Sequence, residues 1–417
     1  MTFTAIFLAF LVLGLFTRFF LAQRHLKYIL AHRQQVPAGF DQQISLADHQ
    51  KAADYTVAKI RLGFLEMMVS AALLIALTLL GGLMSIHQLL LLVFPAGVWQ
   101  QIALLLSLSF VSGILDLPFS WYRQFHLEEE FGFNRMDAKT FWIDFIKSTL
   151  LGLAIGIPLL WVVLTLMASA GSYWWLLAWV VLVSFIFVAT WIGPTFIAPL
   201  FNKFKPLEEG PLKQRIGQLL DRCGFISQGL FVMDGSKRSA HGNAYFTGIG
   251  KSKRIVFFDT LLEKLSPEEI EAVLAHELGH FKKKHIRKRL IVTVITSFLG
   301  LALLGWVSTQ FWFYDGLGVR PGVDGNNGGL ALALFSLALP VFTFFLVPIG
   351  SYFSRKHEFE ADAFAAQKTD ANHLVSALVK LYQDNASTLT PDPLYSAFYD
   401  SHPPAPIRIN HLKELAI

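Results

Sequence analysis

The sequence predicts a mainly α-helical, polytopic membrane protein with about seven transmembrane helices and a small α/β portion on one side of the bilayer. Composition is the first reason. Of 417 residues, 54% are hydrophobic and only 16% charged, with a mean hydropathy of +0.49; a water-soluble domain carries nearer 25% charged residues. The second is that several stretches reach the roughly 20 apolar residues needed to cross a bilayer. The third is that Lys and Arg cluster on one side of that threading.

The spans are expected at Phe3 to Leu21, Phe64 to Leu83, Val98 to Leu117, Leu150 to Ser169, Trp174 to Leu200, Ile291 to Val307 and Leu330 to Gly350. Leu89 to Phe94 is ambiguous between a loop and an extension of the third span. The first span stands where a signal peptide would. It lacks a basic start and a small-residue cleavage site, and Arg18 interrupts its end, so it reads as a retained anchor.

Arg24, Lys27, Arg33, Lys59 and Arg61 lie between spans one and two; Arg123, Arg135, Lys139 and Lys147 lie between three and four; Lys203 and Lys205 follow five. Lys282 to Lys284 and Arg287 to Arg289 precede span six, and Arg355 with Lys356 follow span seven. The opposite loops contain almost only Arg320. The positive-inside rule places the basic loops in the cytoplasm and Gly325 outside. The net charge of +5 follows from this flanking bias, so a lipid bilayer is an expected partner and nucleic acid is not. The single Cys223 falls on the cytoplasmic side, where disulfides play no part.

Four stretches result. Residues 1–200 hold spans one to five with their loops, 201–290 form a cytoplasmic region, 291–350 hold spans six and seven, and 351–417 form a cytoplasmic tail. Within 201–290, Phe231-Val232-Met233 and Arg254-Ile255-Val256-Phe257-Phe258 are short β-rich runs around Gly-rich turns.

The chemistry is carried by His276-Glu277-Leu278-Gly279-His280. Two histidines at i and i+4 share one helix face and can grip one zinc ion, and the glutamate between them lies beside the attacking water as a general base. A zinc site lowers the pKa of coordinated water to about 7 and polarises a carbonyl, which points to peptide hydrolysis. The bland alternative is a chance match on an amphipathic helix. Against it, Ser266-Pro267-Glu268-Glu269 is a capping box with Pro at the first helical position, so the motif lies mid-helix with Ile270, Val273, Leu274 and Leu278 turned inward.

A catalytic zinc needs a third protein ligand and an open position. The metzincin pattern would place Gly and His where Lys283 and Ile286 stand, and His285 is one residue short, so that branch is set aside. Glu358-Phe359-Glu360-Ala361-Asp362 offers a carboxylate with a second one turn later. If Glu358 is the ligand, Asp362 shares its face and can hold a ligating imidazole by its outer nitrogen. Glu360 is about 160° around the helix and is expected to take no part. A solvated acidic face is the alternative.

Further motifs stand in the same order: Leu117-Pro118-Phe119-Ser120, Glu128-Glu129, Gly132-Phe133-Asn134, His241-Gly242-Asn243-Ala244-Tyr245-Phe246, Ser354-Arg355 and Ser401-His402-Pro403-Pro404 with Arg408. With the zinc motif between them, the chain from about Leu117 onward resembles the integral-membrane zinc endopeptidases of the CAAX prenyl protease 1 family, relatives of bacterial heat-shock membrane zinc proteases. The resemblance implies seven helices around a large intramembrane chamber with the site at its cytoplasmic end. It implies His276, His280 and Glu358 as zinc ligands, Glu277 as general base, His402 on the oxyanion and Asn243 on the substrate backbone. His402 could instead fix a turn before two prolines, Asn243 could be a turn former beside Gly242, and Arg408 receives no chemistry.

The substrate implied is a peptide or protein, with an isoprenylated CaaX C-terminus as the leading form. One rival is a quality-control protease acting on membrane proteins. Another is a transporter or channel with a structural zinc, suggested by polar residues inside spans such as Glu66; a structural site would normally close with four protein ligands. The C-terminus, Glu414-Leu415-Ala416-Ile417, lacks an endoplasmic-reticulum retention signal, and the short loops favour a bacterial inner membrane.

Overall fold

A computed structural model of the chain describes residues 2–247, 254–322 and 327–415; Gly325, Ala416 and Ile417 lie outside them. Among the described residues, seven helices are long and apolar enough to cross a membrane: α1 (Thr2–His32), α2 (Leu46–Leu77), α4 (Val98–Glu130), α5 (Ala138–Ser169), α6 (Gly171–Phe201), α10 (His285–Val307) and α12 (Gly328–Lys368). Most run beyond the apolar stretch that announces them, because helix propensity and packing continue after hydropathy ends. The polar segment between spans one and two is therefore largely helical. The second span extends back to Leu46 but stops short at its other end: it ends at Leu77, and Gly81 in the left-handed region (φ 76°) starts a separate short helix α3 (Gly82–Leu91), so Leu89 is no part of the third span.

In α2, α5 and α6 only 6% of the apolar window is buried by protein. A packed bundle would bury the stripe of each helix that faces its neighbours, so most of the apolar surface of these helices is left uncovered by protein and open to lipid. The best-buried span is α12, where Leu330, Ala331, Ala333 and Leu334 pack on Phe7, Leu104 and Leu304. Pro340 and Pro348 remove two of its backbone donors, and the helix tightens at Phe344–Leu346 without ending. The same rod thus continues from the membrane to Lys368, and the expected division at residue 350 falls inside it.

The remaining elements form the α/β part: β1 (Phe204–Pro206), α7 (Pro211–Arg222), β2 (Gly229–Met233), β3 (Ala244–Thr247), β4 (Arg254–Phe258), α8 (Asp259–Lys264) and α9 (Pro267–Lys282). Beyond α10 follow α11 (Phe311–Asp315) and, after α12, the tail helices α13 (Ala371–Asp384), α14 (Pro393–Tyr399) and α15 (Ala405–Leu415). The sheet order is β1-β2-β4-β3, with β2 parallel to β4 and both outer pairs antiparallel. β3 is therefore an edge strand. Ile255, Phe257, Ile270, Leu274, Leu378 and Leu412 join sheet, α9, α13 and α15 in one core.

The capping box forms as the sequence requires: Glu269 N–H donates to Ser266 Oγ (3.3 Å) and Ser266 N–H to Glu269 Oε2 (2.8 Å). Glu269 also accepts from Ser376 Oγ (2.6 Å) and Lys380 Nζ (2.8 Å), tying α9 to α13. Burial works against its charge, but Lys380, Ser376 and the Ser266 amide outweigh it and hold the carboxyl below the usual range. A lowered folded pKa contributes stability that is present above the unfolded value, about 4.3, and lost as pH falls through the folded one. Glu269→Gln should thus melt below the wild type at pH 7, with the gap closing below about pH 4. Thermal melts of both proteins across pH check this, and a gap independent of pH would refute it.

Candidate active site

Helix α9 brings His276 and His280 to one face, and α12 lies against it closely enough to deliver Glu358. Gly279 permits that approach: a Cβ there would fall 2.9 Å from Ala361 Cα and 3.0 Å from its carbonyl oxygen. The motif glycine is thus the contact point of the two helices, and Ala361 and Ala365 are fully buried beside it.

His276 Nε2 and His280 Nε2 face each other at 3.2 Å. Glu358 Oε1 is 3.2 Å from His280 Nε2, and Oε2 is 3.5 Å from His276 Nε2. These three side chains form a group able to hold a metal ion. The protons decide what fits there. His276 Nδ1 lies 2.8 Å from Asp362 Oδ1, so it carries the ring proton and Nε2 keeps its lone pair. Glu358 Oε2 is buried with no hydrogen-bond partner. Lone pairs without protons converge on one point, which is the signature of a cation site, and a His-His-Glu donor set suits zinc.

Charge agrees. Glu277, Glu358 and Asp362 bring three negative charges and Arg408 one positive, a balance of −2 that a divalent ion neutralises. Arg408 is buried, donates to both oxygens of Asp362 (2.7 Å each), and lays Nη2 3.1 Å from His276 Nδ1. It fixes the carboxylate that fixes the imidazole. The sequence carried a signal for it: Ala405, Arg408, Ile409 and Leu412 are the buried face of α15, an i, i+3, i+4, i+7 pattern in which an arginine stands among apolar residues.

A cavity of about 380 Å³ opens beside this point, lined among others by Asn243, His276, Glu277, Glu358, His402 and Arg408. All the site residues read from the sequence therefore lie around one place: His280 and Asp362 reach it through their contacts with His276 and Glu358, and the others line the cavity. Glu277 is half-buried. His402 places Nε2 3.5 Å from Glu358 Oε1 while Nδ1 contacts Ser401 Oγ at 3.0 Å. Its segment is anchored from two sides. Arg355 on α12 donates to the carbonyls of Ser396, Ala397 and Asp400 at the end of α14, and buried Asp392 at its start is gripped by Arg24 of α1 (2.8 Å).

Asn243 sits at the start of β3. Its carbonyl accepts from Phe258 N–H (2.9 Å) and its side-chain oxygen from Ala244 N–H (2.8 Å), leaving the NH₂ as the outward donor. The preceding His241 is held by Asn385 (3.0 Å) and by Glu128 at the end of α4 (3.6 Å). Glu360, expected to be idle, instead meets His285 Nε2 at 2.9 Å, and His285 Nδ1 meets His280 Nδ1 at 3.0 Å. A helical wheel of α12 alone could not show that contact. Glu66, read as a polar residue inside a span, pairs with Arg123.

Comparison with known proteins follows the same division of the chain. Residues 25–203 match the family described as CAAX prenyl protease N-terminal, five membrane helices, and residues 206–416 match peptidase family M48. The chain is 39% identical to CAAX prenyl protease 1 of Saccharomyces cerevisiae over 329 residues, covering 75% of this chain and 72% of that protein. It is 33% identical to the Caenorhabditis elegans homologue over 412 residues, covering 91% of each. The human homologue is 34% identical, with 76% and 74% covered. The crystal structure of S. mikatae Ste24p superposes with a TM-score of 0.92 at 34% identity, covering 98% of this chain and 99% of that one.

Proposed function

This chain belongs to the CAAX prenyl protease 1 family of M48 metallopeptidases, and we propose that it is a zinc endopeptidase that cleaves near the C-terminus of prenylated CaaX-type proteins. That it is a multi-pass membrane metalloprotease acting on peptide or protein substrates follows from the family. The observation that carries the zinc-peptidase reading is the convergence of the His276, His280 and Glu358 donor atoms on one point, with Glu277 lining the cavity beside it. A zinc ion bound there would act as a Lewis acid on the scissile carbonyl and make the attacking water acidic enough to lose its proton near neutral pH.

The protein's own groups do the rest. Glu277 takes the proton from the attacking water and passes it to the leaving amine. His402, across the cavity, donates to the oxygen of the scissile carbonyl as charge builds there. The edge of β3 pairs with the substrate main chain: with Asn243 bonded inward to Phe258, alternation turns the backbone groups of Ala244 and Phe246 outward. The Asn243 NH₂ donates to the same peptide. Asp362, held in place by Arg408, accepts from His276 Nδ1 and so sets the tautomer that keeps a lone pair on Nε2.

Loop charge supports an active site facing the cytoplasm, and the same bias accounts for the basic pI without nucleic acid. The short loops support a bacterial inner membrane; the relatives above are eukaryotic proteins and add nothing to that point. The relatives' names support the prenylated substrate. The test is cleavage of one reporter peptide with and without a C-terminal isoprenoid by purified protein, with metal content measured on the same sample. Preference for the prenylated form is expected. Equal cleavage of both would reject the CaaX reading in favour of broader membrane-protein proteolysis, and metal-loaded protein that cleaves neither would reject the peptidase reading.

A further inference from the structure

The cation site has a second layer on the His280 side. α9 ends at Lys282, and Lys284 adopts the left-handed conformation (φ 59°), which turns the chain before His285 opens α10. A non-glycine residue holds that conformation only where its surroundings enforce it. The turn returns His285 against His280, 3.0 Å between Nδ1 atoms, and aims His285 Nε2 at Glu360 Oε2, 2.9 Å away. His285 is 2% exposed, and His357 of α12 stacks on its ring at 4.0 Å between centroids.

Proton accounting fixes the direction of this chain. The Glu360 carboxylate only accepts, so His285 carries its proton on Nε2 and presents a lone pair on Nδ1. His280 must then donate from Nδ1, which leaves its Nε2 unprotonated and facing the cation point. The opposite tautomer of His280 would direct a proton at His276 Nε2 and at the cation. We propose that Glu360 and His285 are positioning residues that set the tautomer and ring orientation of His280, as Asp362 does directly for His276. Each ligating imidazole is then backed by a carboxylate of α12, one in contact and one through an intervening imidazole. The inference rests on His280 being a metal ligand.

The test is zinc affinity of the purified full-length protein by chelator competition, with the absorption spectrum of the cobalt-substituted protein as a report on ligand geometry. His285→Ala and Glu360→Ala should each weaken zinc binding, by about 10- to 100-fold for the residue in contact with the ligand and less for the outer one. Both should alter the cobalt spectrum. Glu360→Gln, whose carboxamide oxygen can still accept from His285, should restore much of the loss. In a His285→Ala background, Glu360→Ala should add nothing. Lys288, the other partner of Glu360 at 3.7 Å, gives the control, because a mere surface ion pair would make Lys288→Ala as harmful as Glu360→Ala. The relay is overturned if both single variants keep wild-type affinity and spectrum while His280→Ala loses the metal, or if the double variant's effects simply add. If His280→Ala itself binds zinc as the wild type does, the ligand assignment fails and the relay with it. Should His285→Ala not fold, the Glu360 pair of variants decides alone.

Discussion

Glu277→Gln is expected to keep the fold and the metal and to lower peptide hydrolysis by about 10²- to 10⁴-fold. Glu277 follows His276 on α9, so its side chain leaves the helix about 100° away from the imidazole and enters the cavity. The neighbouring carboxylates are committed elsewhere: Glu358 faces both imidazoles and Asp362 binds His276 and Arg408. Among the described residues Glu277 has no hydrogen-bond or ion-pair partner, so its lone pairs are available to a water. The carboxamide of glutamine has nearly the same shape and cannot take up the proton. Zinc stoichiometry and initial cleavage rate, measured on one preparation, check the expectation. A fully metal-loaded variant cleaving at the wild-type rate would remove Glu277 from the mechanism.

The parts of this architecture that were legible in the sequence are those specified by nearby letters. The capping box fixed the start of α9, and the i, i+4 spacing put His276 with His280 and Glu358 with Asp362. Strands β2 and β4 showed themselves as β-rich runs. β1 and β3, of 3 and 4 residues, have no such pattern, because their extended state comes from pairing with a neighbour. His402 reached the site through family resemblance alone, since nothing local says that a residue before two prolines returns to helix α12. The roles of His285 and Glu360 were hidden for a sharper reason. They depend on a left-handed turn at Lys284, and lysine is not a residue whose presence announces one. Arg408 is the opposite case: its place on the inward face of α15 could have been read from spacing, and a buried arginine demands a carboxylate partner.

Glu358→Ala is expected to abolish hydrolysis by emptying the site. Glu358 supplies the only anionic donor of the three ligating groups, and without it two neutral imidazoles face a divalent ion while Arg408 Nη1, 3.5 Å from Glu358 Oε2, loses one of its two opposing charges. Dialysis against a chelator that the wild type withstands should strip the variant. Asp362→Ala should act differently. It leaves all three donors in place but frees the outer nitrogen of His276, which weakens metal affinity by about 10- to 100-fold. It also strands buried Arg408 without its bidentate partner, a change that costs about 3–5 kcal/mol in comparable buried pairs. Asp362→Ala should therefore lower the melting temperature even with metal in excess, whereas the loss in Glu358→Ala should be chiefly of metal. Glu360→Ala, acting through His285, should fall below both. The order Glu358, Asp362, Glu360, from most to least zinc lost on dialysis, is the measurable content of this arrangement, and a Glu360 variant that loses zinc while the Glu358 variant keeps it would overturn the choice of ligand.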